Sequence, residues 1–214
     1  MNRQASLILF NGGEFEFSAI ITDMTKTKTV LKILSKTKVI KESSLHLTIA
    51  QGIPKGQKMD DMIPKLTELG IQTLIPLITE RGMVRKVSTE KINRWQKIAI
   101  QSSQQTGRTQ VPHITEPLSF HDFLQKYEHK EKILFYELES AHSFKAALEK
   151  IKGSEIYFVI GPEGGFSPEE IKWALEKKCH VVSLGKRILR TETVAPAVTA
   201  IAQYDRGDIN KPNR

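Results

Sequence analysis

Residues 156–193 read IYFVIGPEGGFSPEEIKWALEKKCHVVSLGKRILRTET, and their reading decides the fold. Ile156 to Ile160 is an apolar run too short for a helix and rich in β-branched types, which predicts a buried strand. It stops at Gly161-Pro162-Glu163-Gly164-Gly165, where proline fixes φ and the glycines allow positive φ and close backbone approach. Ser167-Pro168-Glu169-Glu170 then carries a helix start: Ser167 as cap, Pro168 in the first turn, Glu170 completing a capping box. Ile171, Ala174 and Leu175 share the face that meets a sheet. Val181 to Leu184 predicts a second buried strand, ended by Gly185, and Lys186 to Thr193 leads into a last helix. Strand, glycine turn, helix, strand, glycine turn predicts a parallel βαβ unit with both turns at the carboxyl ends of neighbouring strands, where open α/β sheets bind ligands.

Two common nucleotide sites are absent, since the chain has neither G-x-G-x-x-G nor G-x-x-x-x-G-K-[ST], and Glu163 would repel phosphate. A cationic or neutral ligand held by backbone groups of the two turns fits better, with tight turns alone as the alternative reading of the glycines.

GPEGGFSPEE followed by LGKRILRTET resembles the paired signature of the SPOUT methyltransferases, in particular the bacterial 16S ribosomal RNA uridine N3-methyltransferase family. The resemblance extends through KGQKMDDMIPKLTELGI, PLITERG and RWQKIAIQSSQQTGRTQVP, from about Leu45 onward. It implies an α/β fold: a parallel-sheet SPOUT domain (45–214) with a C-terminal trefoil knot, preceded by a PUA-like RNA-binding β-barrel (1–44) of which this segment looks like the C-terminal part only. It implies a homodimer, and methyl transfer from S-adenosylmethionine to N3 of a uridine in the decoding region of 16S ribosomal RNA in the small ribosomal subunit. The implied cofactor-binding residues lie at three strand ends: Leu138; Gly161, Glu163, Gly164 and Gly165; and Leu184, Gly185, Ile188, Leu189, Arg190 and Thr191. Leu184, Ile188 and Leu189 would form an apolar adenine slot. Arg190 would hold a uracil carbonyl or phosphate, and Glu192 is either the base or a stabiliser of the helix N-terminus. Arg81, Arg108 and Lys186 are the RNA-binding candidates, Arg108 being either a phosphate or a structural contact. Where the family usually has Glu-Gln, this chain has Gln104-Gln105, which weakens any role needing a carboxylate there. A non-catalytic RNA-binding or ribosome-assembly protein, or a SPOUT enzyme for another ribosomal or transfer RNA base, is the alternative.

Composition agrees with an ordinary globular chain of 214 residues, 39% hydrophobic and 26% charged. The short apolar runs resemble neither a membrane span nor a signal peptide, so a cytoplasmic location is expected. The single cysteine, Cys179, excludes an internal disulfide, and the six histidines lack zinc-type spacing, so no metal site is expected. The net charge of +8 favours a polyanionic partner.

Elsewhere, Ser6 to Phe10 and Glu14 to Ile21 predict strands joined by an Asn11-Gly12-Gly13 hairpin turn, with Val30 to Leu34 a third strand and partly unpaired edges. A strand at Leu45 to Ile49 precedes a helix closed by Gly70, in which Pro64 marks a kink or the first turn. Further expectations are a strand at Leu74 to Leu77, a helix capped by Ser88 or Thr89 and ended by Gln104 to Arg108, a strand at Lys132 to Leu138, a helix at Ser143 to Ile151, a last helix at Glu192 to Gln203 and a frayed tail at Gly207 to Arg214.

Overall fold

The computed structural model describes residues 6–39 and 41–211; the last part of the expected tail, 212–214, lies outside them. β1 (Ser6–Phe10), β2 (Phe15–Met24) and β3 (Thr29–Lys38) form an antiparallel sheet in that order. Gly12 takes the positive φ that a tight turn between β1 and β2 requires. The third strand is longer than its apolar run because Lys32, Lys36 and Lys38 alternate with less polar residues along it.

The remaining strands are all parallel. β4 (His46–Gly52) is followed by α1 (Lys58–Glu68), β5 (Thr73–Ile78) and α2 (Thr89–Thr106). Then come β6 (His113–Ile114), β7 (Leu118–Ser119), α3 (Phe120–Lys126), β8 (Lys132–Phe135) and α4 (Phe144–Lys150). β9 (Glu155–Ile160), α5 (Pro168–Glu176), β10 (His180–Val182) and α6 (Thr191–Arg206) complete the order. The sheet runs β10-β8-β9-β4-β5-β6, with β7 also on β5.

Local signals explain the helix ends. Ser88 Oγ accepts from Lys91 N at 3.3 Å, and Gly107, at φ +68°, closes α2. The capping box of α5 is complete, with Glu170 N to Ser167 Oγ at 3.2 Å and Ser167 N to Glu170 Oε2 at 2.9 Å. Pro64 sits in the interior of α1, not in its first turn. Two apolar layers cover the sheet. Trp95, Met62, Leu66, Phe158 and Val198 belong to the layer with α1, α2, α4 and α6, and Phe123, Phe166 and Ala174 to the layer with α3 and α5.

Further expectations change, among them the second strand of the quoted stretch, which ends at Val182 rather than Leu184. β8 lies between β9 and β10, so the two glycine turns are not at adjacent strands; the third strand supplies a loop between them. β8 ends at Phe135 rather than Leu138, because Tyr136 N bonds Val182 O and the chain then turns, Glu139 N meeting Tyr136 O. The last helix extends to Arg206. Among the described residues, no helix is long and apolar enough to cross a membrane, and no cluster of metal-ligating side chains occurs.

Candidate active site

The carboxyl ends of β8, β9 and β10 surround a cavity of about 490 Å³. Tyr136 and Glu137 line it after β8, Gly161 to Glu163 and Gly165 after β9, and Ser183 to Glu192 after β10, with Lys58 of α1 at the edge.

The turn after β9 is packed too tightly for side chains. A Cβ at Gly52, which ends β4, would lie 2.5 Å from Pro162, and one at Gly165 (φ +65°) 2.7 Å from Glu137 Oε1. Gly185, at φ +89°, has nothing within 4 Å of where its Cβ would be. Among the described residues, the backbone N–H groups of 184–190 find no backbone acceptor. The loop after β10 thus lines the cavity with residues whose backbone N–H groups are unpaired and with Ile188, which is 84% exposed.

Thr191 fastens the loops together. Its buried hydroxyl donates to Gly161 O at 2.6 Å and accepts from Gln51 Nε2 at 2.8 Å. Gln51, at the end of β4, also donates to Gly52 O at 2.9 Å and Gly161 O at 3.3 Å. The ends of β4 and β9 and the start of α6 are thereby joined.

Lys58 bridges two carboxylates, Nζ standing 2.9 Å from Glu163 Oε1 and 3.2 Å from Glu192 Oε2. Hydrogen bonds to Glu163 and then Glu192 hold the Lys58 ammonium above its ordinary pKa. Burial opposes the charge on Glu163, but bonds from Lys58, its own backbone and the Lys55 amide outweigh it and hold that carboxyl below the usual range. Glu192 is lowered by the backbone N–H at the helix start and then by Lys58, against burial. Glu137 enters no hydrogen bond or ion pair among the described residues and is exposed. The lining carries four cations, Lys58, Lys186, Arg187 and Arg190, against three carboxylates, Glu137, Glu163 and Glu192.

The family model described as RNA methyltransferase domain matches residues 41–203. Ribosomal RNA small subunit methyltransferase E of Bacillus subtilis (strain 168) is 34% identical over 213 residues, covering 94% of this chain and 83% of that protein. The chain belongs to the ribosomal RNA small subunit methyltransferase E family. A crystal structure of a ribosomal RNA small subunit methyltransferase E from Neisseria gonorrhoeae, bound to S-adenosylmethionine, superposes with a TM-score of 0.87 at 32% identity, covering 97% of this chain and 86% of that one. A methyltransferase from Legionella pneumophila, solved with the same cofactor bound, gives 0.89 at 34% identity, covering 98% and 86%.

Within this member of the methyltransferase E family, Gly161, Glu163, Gly165, Leu184, Gly185, Lys186, Ile188, Leu189, Arg190, Thr191 and Glu192 come together around one cavity. Three residues do not take the places expected of them. Leu138 is 71% exposed and outside the lining, because β8 ends early and Tyr136 and Glu137 occupy that edge. Gly164 packs outward, its would-be Cβ 2.9 Å from the Arg81 carbonyl, so its small size serves packing between loops. Arg108 is buried: Nε and Nη2 donate to Glu42, and Nη1 to Thr67 O at 2.8 Å and Ile71 O at 3.0 Å, so four of its five N–H donors are taken by the protein's own groups and the side chain faces inward rather than toward a phosphate. The Arg81 side chain is exposed. Cys179 is buried and burial pushes its thiol up to about 12, which leaves it inert. Sequence reasoning missed Gln51, Lys58 and Glu137. Applied to β4 and β8, the strand-end rule would have marked Gln51 and Glu137, whereas nothing local marks Lys58.

Proposed function

We propose that this chain transfers a methyl group from S-adenosylmethionine to N3 of a uridine in the decoding region of 16S ribosomal RNA. The carrying observation is the cavity at three parallel strand ends, lined by residues 184–190 whose backbone N–H groups have no backbone acceptor, in a chain whose relatives bind that methyl donor. The residues present fit the group. Leu184, Ile188 and Leu189 offer apolar cover for an adenine, the free peptide groups can read its edge, and Gly185 leaves room for close approach. When bound, S-adenosylmethionine supplies an electrophilic methyl carbon on a sulfonium.

Uracil N3 must lose a weakly acidic proton, so positioning and stabilisation of the resulting anion supply most of the rate. Arg190, exposed at the cap of α6, holds a uracil carbonyl or a phosphate and stabilises charge on the ring. Glu192, paired with Lys58 and lowered, is a weak base and acts structurally at the helix start. Glu163 shares that pairing, which leaves Glu137 as the lining carboxylate able to face a cation or accept a proton. Lys186 and Arg81 serve the RNA.

The reading includes a SPOUT domain at 45–214 with a trefoil knot, a PUA-like RNA-docking module at 1–44, a homodimer and a cytoplasmic location. Exposed Lys32 and Lys36 on β3, with Lys26 and Lys28 in the turn before it, support the docking role. The test is methyl transfer from labelled S-adenosylmethionine to small ribosomal subunits from a strain lacking the modification, with the product mapped by mass spectrometry. New 3-methyluridine at one decoding-region site is expected. No transfer, or label on another base, overturns the assignment.

A further inference from the structure

The three-stranded sheet shares no residue with the apolar layers of the parallel sheet, and a cleft of about 720 Å³ separates its β1–β2 turn, Phe10 to Gly12, from Gln96, Ile100 and Gln104 of α2. Two modules with separate interiors and a gap between them have no core to set their relative orientation. Residues 41–43 fill that role with charge and hydrogen bonds. Glu42 receives Arg108 Nη2 at 2.5 Å and Nε at 3.1 Å, and also the Gln110 amide at 3.3 Å. Arg108 is in turn anchored on the carbonyls of Thr67, in the last turn of α1, and of Ile71 just beyond it. Lys41 Nζ reaches both Glu16 of β2 and, at 3.2 Å, Gly107 O at the end of α2. Ser43 Oγ donates to Gln203 Oε1 of α6 at 2.7 Å.

We infer that Lys41 and Glu42 form a latch that fixes the lysine-bearing sheet relative to the methyl-donor cavity, so that they are positioning residues for the nucleic-acid substrate. The latch touches neither the cavity nor the exposed lysines. Its loss therefore changes how RNA bound by the sheet is presented, and leaves the methyl-donor site alone. The kinetic part rests on the proposed function; the orientation part does not.

Lys41→Met removes the surface half of the latch and Glu42→Gln the buried half while keeping its shape. Spin labels at Lys32→Cys and Lys172→Cys, both exposed, report the distance between modules while buried Cys179 stays unlabelled. The parent chain should give one narrow distance, and each latch variant a broadened one. With small ribosomal subunits, KM should rise by about tenfold or more, while the calorimetric Kd for S-adenosylmethionine stays unchanged. A broad distribution in the parent chain, or parental distances in both variants, overturns the latch. So does a parental KM in both, or an equal loss of cofactor affinity. Should the parent chain bind no S-adenosylmethionine, the proposed function fails, and the label distances still decide the latch.

Discussion

Thr191→Val isolates the fastening of the cavity loops. Valine keeps the branched shape, so the buried site is neither emptied nor crowded, but the hydroxyl's bonds to Gly161 O (2.6 Å) and from Gln51 Nε2 (2.8 Å) are both lost. A net intramolecular hydrogen bond contributes about 1 kcal/mol. Gln51 retains Gly52 O and Gly161 O as acceptors, so its amide is not orphaned and no large desolvation penalty is added. The expected cost is therefore about 2 kcal/mol, or about 4–8 °C in Tm for a chain of this size. Thr191→Ser keeps the hydroxyl and removes one methyl group, costing about 1 kcal/mol or less. Urea unfolding followed through Trp95, which is fully buried, measures both, with unchanged m-values required for the comparison. The valine variant should also bind S-adenosylmethionine more weakly, because Gly161 and the start of α6 are no longer tied. If serine costs as much as valine, or valine costs less than about 0.5 kcal/mol, the hydroxyl does not hold these loops.

Arg108→Met should lose about 3–5 kcal/mol in urea unfolding, because it leaves Glu42 and two carbonyls without their partner. Parental stability with weakened RNA binding would instead restore Arg108 as a phosphate contact. Lys58→Met should lower Tm at neutral pH. Because Glu163 and Glu192 are depressed, their stabilising contribution is present above the unfolded carboxylate pKa of about 4.3 and is lost as pH falls through the lower folded values. The Tm gap between variant and parent should therefore narrow on acidification below about pH 5, and a constant gap by circular dichroism would contradict the pairing.

What the sequence determined by itself is local. The capping box of Ser167 and Glu170, the glycine end of α2 and the hairpin turn at Gly12 involve groups a few residues apart, whose geometry any chain with those residues can reach. The strand run at 156–160 and the glycine turns at 161–165 and 185 were legible for the same reason, and with them the end of the sheet that carries the cavity. The tertiary structure alone decided the partners. Gln51 and Thr191 are 140 residues apart, and Lys58 meets Glu163 and Glu192 only because the sheet order puts the ends of β4, β9 and β10 at one edge. Arg108 is the sharpest case. Its charge predicted a polyanion as readily as a structural contact, and only the packing of α1 and α2 against residues 41–43 buried it, where desolvation makes an internal carboxylate and two carbonyls its partners.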